Sequence, residues 1–202
     1  ELPNELLTLA MGEYGEEADF YSLKGKIEAL ASLLGLENRI AFKPARHTAM
    51  HPGRTAEVLL DEKTIGIFGQ IHPKTAERYE TDTGTILGEL NLEALLEEAD
   101  TDWQYKPLPR YPAVTRDLAF IVDKKVQAAQ IVELIRKAGG KILEEVNLFD
   151  IYEGSQIPEG HKSMAYALSY RAPDRTLKDE EVNEAHERII KTLEEKLGAK
   201  LR

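Results

Sequence analysis

The chain of 202 residues contains no cysteine, so disulfide bonds and metal sites built on thiolates are excluded. It also has no apolar run as long as a membrane span or a signal peptide, which predicts no membrane partner. Both absences fit a reducing, cytoplasmic compartment. Hydrophobic residues make up 42% of the chain and charged residues 31%, enough for one large domain or two small ones. The chain opens on Glu1 and not on Met, which indicates a piece of a longer polypeptide.

The net charge of −10 is unevenly distributed along the chain. Residues 1–102 carry nine basic and 20 acidic side chains, a balance of −11, whereas residues 103–202 carry 17 and 16, a balance of +1. An acidic run at 97–102, expected to be a solvated helix end, stops just before Trp103. We therefore predict two domains, 1–102 and 103–202. The second is close enough to neutrality to bind nucleic acid through a local cationic patch.

The second half shows strand patterns and helix patterns in a regular order. Runs rich in branched and aromatic residues predict strands at 117–122, 147–154, 162–171 and 199–202. Apolar residues at steps of three and four predict one helix at 126–138, ended by Gly139 and Gly140. A second helix is predicted from Thr176 to Gly198, with Asp179 at the capping-box position. The order βαββαβ is that of the ferredoxin-like split unit.

In such a unit both helices cover one face of the sheet and leave the other face open as a binding surface. Because side chains alternate along a strand, we expect the bulky set Met164, Tyr166, Leu168 and Tyr170 to lie under the helices. The side chains of the opposite set are small, polar or cationic, so they leave room for a flat ligand. This set consists of Ser163, Ala165, Ala167, Ser169 and Arg171. The register of strand 147–154 stays open, but an apolar residue faces outward in either register. Phe149 is the predicted stacking platform.

This half contains four short sequence blocks: RYPAVTRD at 110–117, LFDIYEG at 148–154, GHKS at 160–163 and RTL at 175–177. In this order they resemble the ferredoxin-fold anticodon-binding domain that ends the β subunit of bacterial phenylalanyl-tRNA synthetase, over residues 103–202. The resemblance implies that the open sheet face holds the anticodon stem-loop of tRNA-Phe. The residues it implicates in tRNA binding are Arg110, Arg116, Asp117, Asn147, Phe149, Asp150, Tyr152, Ser163, Ser169 and Arg171.

The first half is predicted to mix helices and strands. The elements are a helix at 21–34, a hairpin of 54–60 and 64–71, a short helix from Pro73, a strand at 85–90 and a helix at 92–98. The blocks DFYSLKG, HPGR and GIFGQIHP resemble the module that precedes the anticodon-binding domain in the same family. In that family the module belongs to a class II synthetase-like core that has lost its catalytic activity and serves as a scaffold against the catalytic α subunit. The expected fold class is α+β, a mixed antiparallel class II synthetase-like module followed by a ferredoxin-like βαββαβ sandwich.

The residues that ATP chemistry requires are missing from the sequence. We find neither the Gly-x-Gly-x-Gly-x-Glu-Arg run of class II synthetases nor a glycine-rich loop ending in Lys-Ser or Lys-Thr. Gly66 and Gly69 are expected to serve strand packing instead. We therefore predict no catalytic residue and no cofactor in this chain. The resemblance implies that ATP and Mg²⁺ bind elsewhere in the whole enzyme.

The histidines carry no metal motif. His47 and His51 are four residues apart, but no Glu follows His47 as in a zincin, and Pro52 favours a loop. His72 before a proline is expected to be a turn residue, and His186 a solvated residue of a charged helix. We predict no metal site.

Two functions from different classes remain open. The resemblance implies tRNA-Phe recognition and a scaffold role in phenylalanine–tRNA ligase, with catalysis on the α subunit and two α and two β chains in the assembly. The alternative is a regulatory module that binds a small molecule such as an amino acid, because fold alone does not determine function. For Arg116 and Arg171 the residues alone favour solvation or ion pairs with Asp117 or Asp150, whereas the resemblance favours RNA contact.

Overall fold

The computed structural model describes residues 5–100, 102, 105 and 107–202. The chain divides into two compact units, Glu1–Tyr105 and Lys106–Arg202. Trp103, at the boundary expected from the charge distribution, lies outside the described residues, as does Glu1.

The first unit is a five-stranded antiparallel sheet with three helices. Its elements are β1 (Thr8–Glu13), α1 (Phe20–Leu33), β2 (Ile40–Pro44), β3 (Met50–Leu60), β4 (Lys63–Ile71), α2 (Pro73–Arg78), β5 (Ile86–Asn91) and α3 (Leu92–Glu97). The strand order is β1-β5-β4-β3-β2. The predicted helices, hairpin and strand are confirmed with small shifts at their ends. The two edge strands, β1 and β2, were not expected from the sequence.

Several local interactions define the elements of this unit. Asp19 and Ser22 form a capping box on α1, with the Ser22 N–H donating to the Asp19 carboxylate at 2.6 Å. The expected packing role of Gly66 is confirmed, because a Cβ there would lie 2.3 Å from the Glu89 carbonyl oxygen. In the acidic run, Glu98 is exposed and pairs with Arg39, whose Nη2 lies 2.6 Å from its Oε2.

The described histidines of this unit serve the backbone. His72 caps α2, where its Nδ1 accepts from the Lys74 N–H at 3.1 Å, so its expected turn role is confirmed. His51 accepts from the Gly53 N–H at 3.1 Å. The loop expected at His51 is wrong, since β3 already begins at Met50 and continues past Pro52 with a shift in its pairing to β4.

The second unit has the predicted βαββαβ order. Its elements are β6 (Val114–Asp123), α4 (Ala128–Gly139), a 3₁₀ turn (Gly140–Ile142), β7 (Leu143–Tyr152), β8 (His161–Tyr170), α5 (Asp179–Leu197) and β9 (Lys200–Leu201). The antiparallel strands are ordered β7-β8-β6-β9, so the last strand lies beside the first and the two central strands are β8 and β6. This arrangement confirms the ferredoxin-like fold.

One core holds the sheet of the second unit against its two helices. The bulky set of β8 is fully buried, as alternation predicted: Met164, Tyr166, Leu168 and Tyr170. Leu118, Phe120 and Val122 of β6 share this core, and the helices add Ile131, Ile135, Val182, Ala185, Ile189 and Leu193. Both helices therefore pack on the same face of the sheet.

Helix α5 begins later than the sequence indicated. The capping box expected from Thr176 and Asp179 is wrong, because the residues before the helix run extended and bury Leu177 in the core. The helix starts at Asp179, and the Glu181 carboxylate accepts from the Lys178 N–H at 3.0 Å. That hydrogen bond, with the ion pair to Arg175, holds the pKa of Glu181 below its ordinary value.

The expected solvation of His186 is also wrong. Its Nδ1 lies 3.1 Å from the hydroxyl of the buried Tyr170, and the ring is half-buried. Burial lowers the pKa of His186, and the positive charge of Arg116 lowers it further. Burial raises the pKa of Tyr170 to about 12. The pair is therefore a neutral hydrogen bond between the sheet and α5.

We expect Tyr166→Phe and Tyr170→Phe to change stability in opposite directions. The buried Tyr166 hydroxyl has no hydrogen-bond partner among the described residues, so its removal should raise the free energy of unfolding by about 1 kcal/mol. Loss of the Tyr170 hydroxyl should lower it by about 1 kcal/mol, because His186 loses its partner. Urea unfolding of the two variants and the parent measures both; a destabilised Tyr166→Phe would contradict the assignment.

The lowered pKa of His186 also predicts a pH dependence. The unfolded chain, with a histidine pKa of about 6.5, binds the proton more readily than the folded one. Neutral His186 therefore makes its full contribution to the stability of the folded chain above about pH 6.5, and this contribution is lost as the pH falls below that value. We expect His186→Gln to be less stable than the parent near pH 7 and to lose less stability on acidification to about pH 5. If the free energy of unfolding fell equally steeply with pH in the two proteins, the pH dependence would not come from His186.

Candidate nucleic-acid interface

The face of the second sheet opposite the core is made by the alternate residues of each strand. We call it the open face. It is formed by Thr115, Asp117, Ala119 and Ile121 of β6, Ser163, Ala165, Ala167 and Ser169 of β8, their partners Glu145, Asn147, Asp150 and Tyr152 on β7, and Lys200 of β9.

The centre of the open face is low and flat. Ala119 of β6 lies opposite Ala165 of β8, and the next pair toward the other end of the sheet places Asp117 opposite Ala167. Across β8, Ala165 lies opposite Asp150 and Ala167 opposite Asn147. Methyl groups therefore form a floor with polar side chains at its rim. This geometry gives a planar ligand an apolar surface beneath and hydrogen-bonding groups at its edge.

A β-bulge in β7 decides which residues reach the open face. Leu148 lies opposite Tyr166 and Asp150 opposite Ala165, so Phe149 is an extra residue without a partner on β8. Strict alternation along β7 would place Ile151 on the same face as Asn147, but Ile151 lies opposite the core residue Met164. Phe149 is 56% exposed and stays a candidate for stacking. After the bulge, Asp150 and Tyr152 both belong to the open face.

The position of Tyr152 depends on the glycine two residues later. A Cβ built on Gly154 would lie 1.9 Å from the Tyr152 hydroxyl oxygen and 2.1 Å from the adjacent ring carbon. Because glycine lacks that atom, the tyrosine ring can fold over the backbone at residue 154. Tyr152 pairs across the strands with Ser163.

Ser163 is less accessible than the sequence suggested. We expected it on a bare row, but it is 4% exposed. Arg202 reaches across the sheet, and its Nη1 donates to the Ser163 hydroxyl at 3.4 Å. The guanidinium carbon lies 5.6 Å from the centre of the Tyr152 ring. A long side chain from beyond β9 therefore covers this end of the open face.

Arg116 does not lie on the open face, and that expectation is wrong. It shares its side of β6 with the core residues Leu118 and Phe120, so its side chain lies on the helix face. There its Nη2 donates to the Asp179 carboxylate at 3.5 Å, at the start of α5. Its charge also contributes to the lowered pKa of His186.

Arg171 has two partners within the second unit. Its Nε donates to the Glu144 carboxylate at 2.8 Å, and its Nη1 donates to the Tyr111 carbonyl at 2.6 Å. The alternative of an ion pair with Asp117 or Asp150 is therefore wrong in its partner, which is Glu144. Arg171 connects the start of β7 to the segment that precedes β6. Contact with RNA stays a prediction for this residue.

The remaining predicted residues lie at the rim or outside it. Arg110 is exposed in the segment before β6, and Asp117 is exposed on the open face. Ser169 lies between Thr115 and Glu145 at the end of β8. Sequence reasoning missed Lys200, which lies opposite Ile121, and Arg202. The strand predicted at 199–202 contained the signal, since alternation places these two side chains on one face.

The described residues contain no cluster of three or more histidine, aspartate or glutamate side chains suited to a metal ion. Among the helices described, none has the length and apolar character needed to cross a membrane.

Comparison with protein families matches each half of the chain. Residues 109–202 match a family model described as the ferredoxin-fold anticodon binding domain. Residues 1–92 match one described as the phenylalanyl tRNA synthetase beta chain CLM domain. The two matches therefore fall on separate stretches of the chain.

Three relatives of the chain share the name phenylalanine–tRNA ligase beta subunit. The chain is 46% identical, over its whole length, to the phenylalanine–tRNA ligase beta subunit of Clostridium tetani (strain Massachusetts / E88), of which it covers 25%. It is 44% identical to the proteins of the same name from Bacillus cereus (strain ZK / E33L) and Geobacillus kaustophilus (strain HTA426), over 91% and 92% of the chain and 23% of each relative. The chain thus spans about a quarter of the length of the curated relatives that it matches. It belongs to the phenylalanine–tRNA ligase β-subunit family.

Proposed function

We propose that the second unit binds the anticodon stem-loop of tRNA-Phe on its open face. Single-stranded RNA loops are recognised by stacking their bases on aromatic or guanidinium planes and by hydrogen bonds to the base edges. The open face supplies both kinds of contact side by side. Its alanine floor admits a flat base, Tyr152 offers a ring at one end, and Asp150 and Asn147 stand at the rim.

The observation that carries this proposal is the juxtaposition of Asp150 and Tyr152 after the β-bulge. Both face the floor from the edge strand, two residues apart, and both are exposed. A carboxylate accepts hydrogen bonds from the amino and imino groups of bases but repels phosphate, so it selects bases. The description of the matching family model, an anticodon binding domain, supports the same ligand.

We further propose that the chain acts within phenylalanine–tRNA ligase, as its relatives' names indicate. The first unit serves as a scaffold toward an α subunit that carries out aminoacylation, in an assembly of two α and two β chains. ATP and Mg²⁺ bind outside this chain. The setting is the cytoplasm.

The direct test is a binding curve of the 202-residue chain with a tRNA-Phe anticodon stem-loop at two salt concentrations. Binding should weaken as salt rises, because the release of cations from the RNA favours association less when the surrounding salt concentration is higher. A stem-loop with a substituted anticodon serves as the control and should bind more weakly. Equal binding of the two loops would refute anticodon recognition. Salt-independent binding of an amino acid, without RNA binding, would favour the regulatory alternative.

The two exposed aromatic candidates on β7 should differ. We expect Tyr152→Ala to weaken stem-loop binding about tenfold or more, in keeping with about 1 to 3 kcal/mol for a base stacked on an aromatic ring. Phe149→Ala is the matched control, because Phe149 lies in the bulge without a partner on β8. It should change binding less. If Phe149→Ala caused the larger loss, the stacking platform would be Phe149 and the role given to Tyr152 would be wrong.

Gly154→Ala should reproduce part of the loss of stem-loop binding expected for Tyr152→Ala, although it leaves the tyrosine side chain itself unchanged. The added methyl group would occupy the space of the Tyr152 hydroxyl and displace the ring from its place over the chain. We expect weaker stem-loop binding, by about three- to tenfold, with unchanged circular dichroism. Gly25→Ala is the control: its added methyl group meets no atom within 4 Å, so binding should be unchanged. Gly160→Ala is unsuitable, because Gly160 has a positive φ of 78° that an alanine would strain. Normal binding by Gly154→Ala would mean that the ring position is not required.

A further inference from the structure

Basic side chains gather at one end of the first unit, although acidic residues dominate that unit as a whole. Residues 38–56 and residues 63–76 contain no aspartate or glutamate, yet they hold six of the nine basic residues of the first half and all three of its histidines. Two of these stretches' turns and one strand end meet at the same end of the sheet. We call this the basic end, and its side chains are Arg46, His47, His51, Arg54, His72 and Lys74.

Backbone hydrogen bonds bring the segments of the basic end together. The His72 N–H donates to the Ala49 carbonyl at 2.9 Å, which places the start of α2 beside the β2–β3 loop. The Ala45 N–H donates to the Thr55 carbonyl at 3.0 Å, which closes that loop on β3. Residues 51–54 lie between these two contacts along β3. Three stretches of chain therefore present their side chains at one place.

The central stretch, residues 51–54, is held firmly in position. These four residues face a single residue of β4, Gln70, so they project from the regular strand pairing. Arg54 is tied to that residue, because its Nη1 donates to the Gln70 side-chain oxygen at 2.5 Å. A Cβ on Gly69 would lie 2.4 Å from the Arg54 carbonyl oxygen, so the close approach of the two strands requires glycine there. The projection is thus a built feature of the sheet.

The three histidines of the basic end all use the same ring atom to hold the backbone. In His47, His51 and His72 alike, Nδ1 accepts from the N–H two residues further on, at 3.3, 3.1 and 3.1 Å. A neutral imidazole that accepts at Nδ1 carries its proton on Nε2. Each ring therefore offers a further N–H donor and no further acceptor. Together with the guanidinium and ammonium groups, these rings present hydrogen-bond donors suited to an anion.

The cations of the basic end have no carboxylate partner among the described residues. The ion pairs described for the first unit use three other basic residues. Arg46, Arg54 and Lys74 are all exposed. An anion that binds here would therefore break no ion pair, and it would add the charge-assisted hydrogen bonds that these side chains lack.

The surroundings of the basic end favour nucleic acid over protein as the anion. No large apolar side chain is exposed between residues 34 and 78. Protein–protein interfaces have apolar or aromatic anchors at their centre, whereas interfaces with nucleic acid are polar and strongly positive. The same absence leaves no tyrosine, phenylalanine or tryptophan ring on which an unpaired base could stack. The phosphates of a duplex are therefore the ligand that fits.

We propose that the basic end of the first unit binds the phosphate backbone of a double-stranded stem of tRNA. This is a second RNA contact, on the other unit from the open face. It rests on the proposed function, since tRNA is taken as the ligand. Contacts to phosphates carry no sequence information, but they position the RNA. The first unit thus adds affinity, while recognition of the anticodon belongs to the open face.

The test measures binding of the 202-residue chain to a minihelix made of the acceptor and T stems of tRNA-Phe, which lacks the anticodon. Arg46→Gln and Lys74→Gln each remove one exposed charge. At about 50 mM salt each should weaken binding about five- to tenfold and lower the salt slope by about one, since one phosphate contact is lost. The control is Lys63→Gln, because Lys63 is exposed at the opposite end of the same sheet. It should change both quantities less.

The histidines can be tested without loss of their turns. An asparagine side chain can accept the same backbone N–H two residues on, but it is too short to place a donor where Nε2 stands. We expect His47→Asn and His51→Asn together to weaken minihelix binding about threefold at pH 8. The salt slope should stay the same, because a hydrogen-bond donor is lost and no charge is removed.

The outcomes bear separately on this proposal and on anticodon recognition. A parent chain that binds the anticodon stem-loop but not the minihelix at low salt would overturn the role of the basic end alone. So would an unchanged affinity and slope in Arg46→Gln and Lys74→Gln. Binding of a glutamate heptapeptide as tightly as the minihelix, with the same losses in the variants, would assign the basic end to a carboxylate-bearing protein instead. If neither RNA bound, both proposals would fail.

Discussion

The alternation of side chains along β8 is the constraint on which the second unit depends. Met164, Tyr166, Leu168 and Tyr170 are fully buried on one side, and the residues between them are small. A slip of one residue would expose two tyrosines and turn alanines toward the helices, so packing fixes the register strongly. The flat floor of the open face follows from the same requirement. The large side chains are needed in the core, and what remains on the other side is low enough for a planar ligand.

The edge strand β7 departs from that regular alternation, and the departure makes the rim of the site. The extra residue at Phe149 shifts the pairing, so Asp150 lies opposite Ala165 and Tyr152 opposite Ser163. A bulge is tolerated at a sheet edge because the outer side of the strand has no ladder to disrupt. Gly154 then leaves space for the ring of Tyr152. A local irregularity and one missing Cβ thus position an aromatic ring and a carboxylate beside the floor.

The element order of the second unit and the buried side of β8 could be predicted, because they depend on short-range periodicity, whereas the edge strands β1 and β2 of the first unit were missed. Alternation with Leu118 and Phe120 indicates that Arg116 lies on the helix face, whereas the resemblance implicated it in the binding of RNA on the open face. The bulge at Phe149 could not be predicted, since its neighbours Leu148 and Asp150 include no glycine or proline that would mark an extra residue. The coverage of Ser163 by Arg202 was also beyond reach, because it depends on the pairing of β9 with β6, about 80 residues away in the chain.

The charges of the open face bear on the proposed binding of RNA by an acidic chain. Asp117, Asp150 and Glu145 belong to the face, while Lys200 and Arg202 approach it from the β9 edge. Phosphates would be repelled from the carboxylates and drawn toward that edge, so under the proposed function an RNA loop would be oriented with its backbone near β9 and its bases over the alanine floor. A uniformly basic face would hold any RNA through its phosphates. The mixture of charges found here favours contacts to bases, and it is contacts to bases that distinguish one anticodon from another.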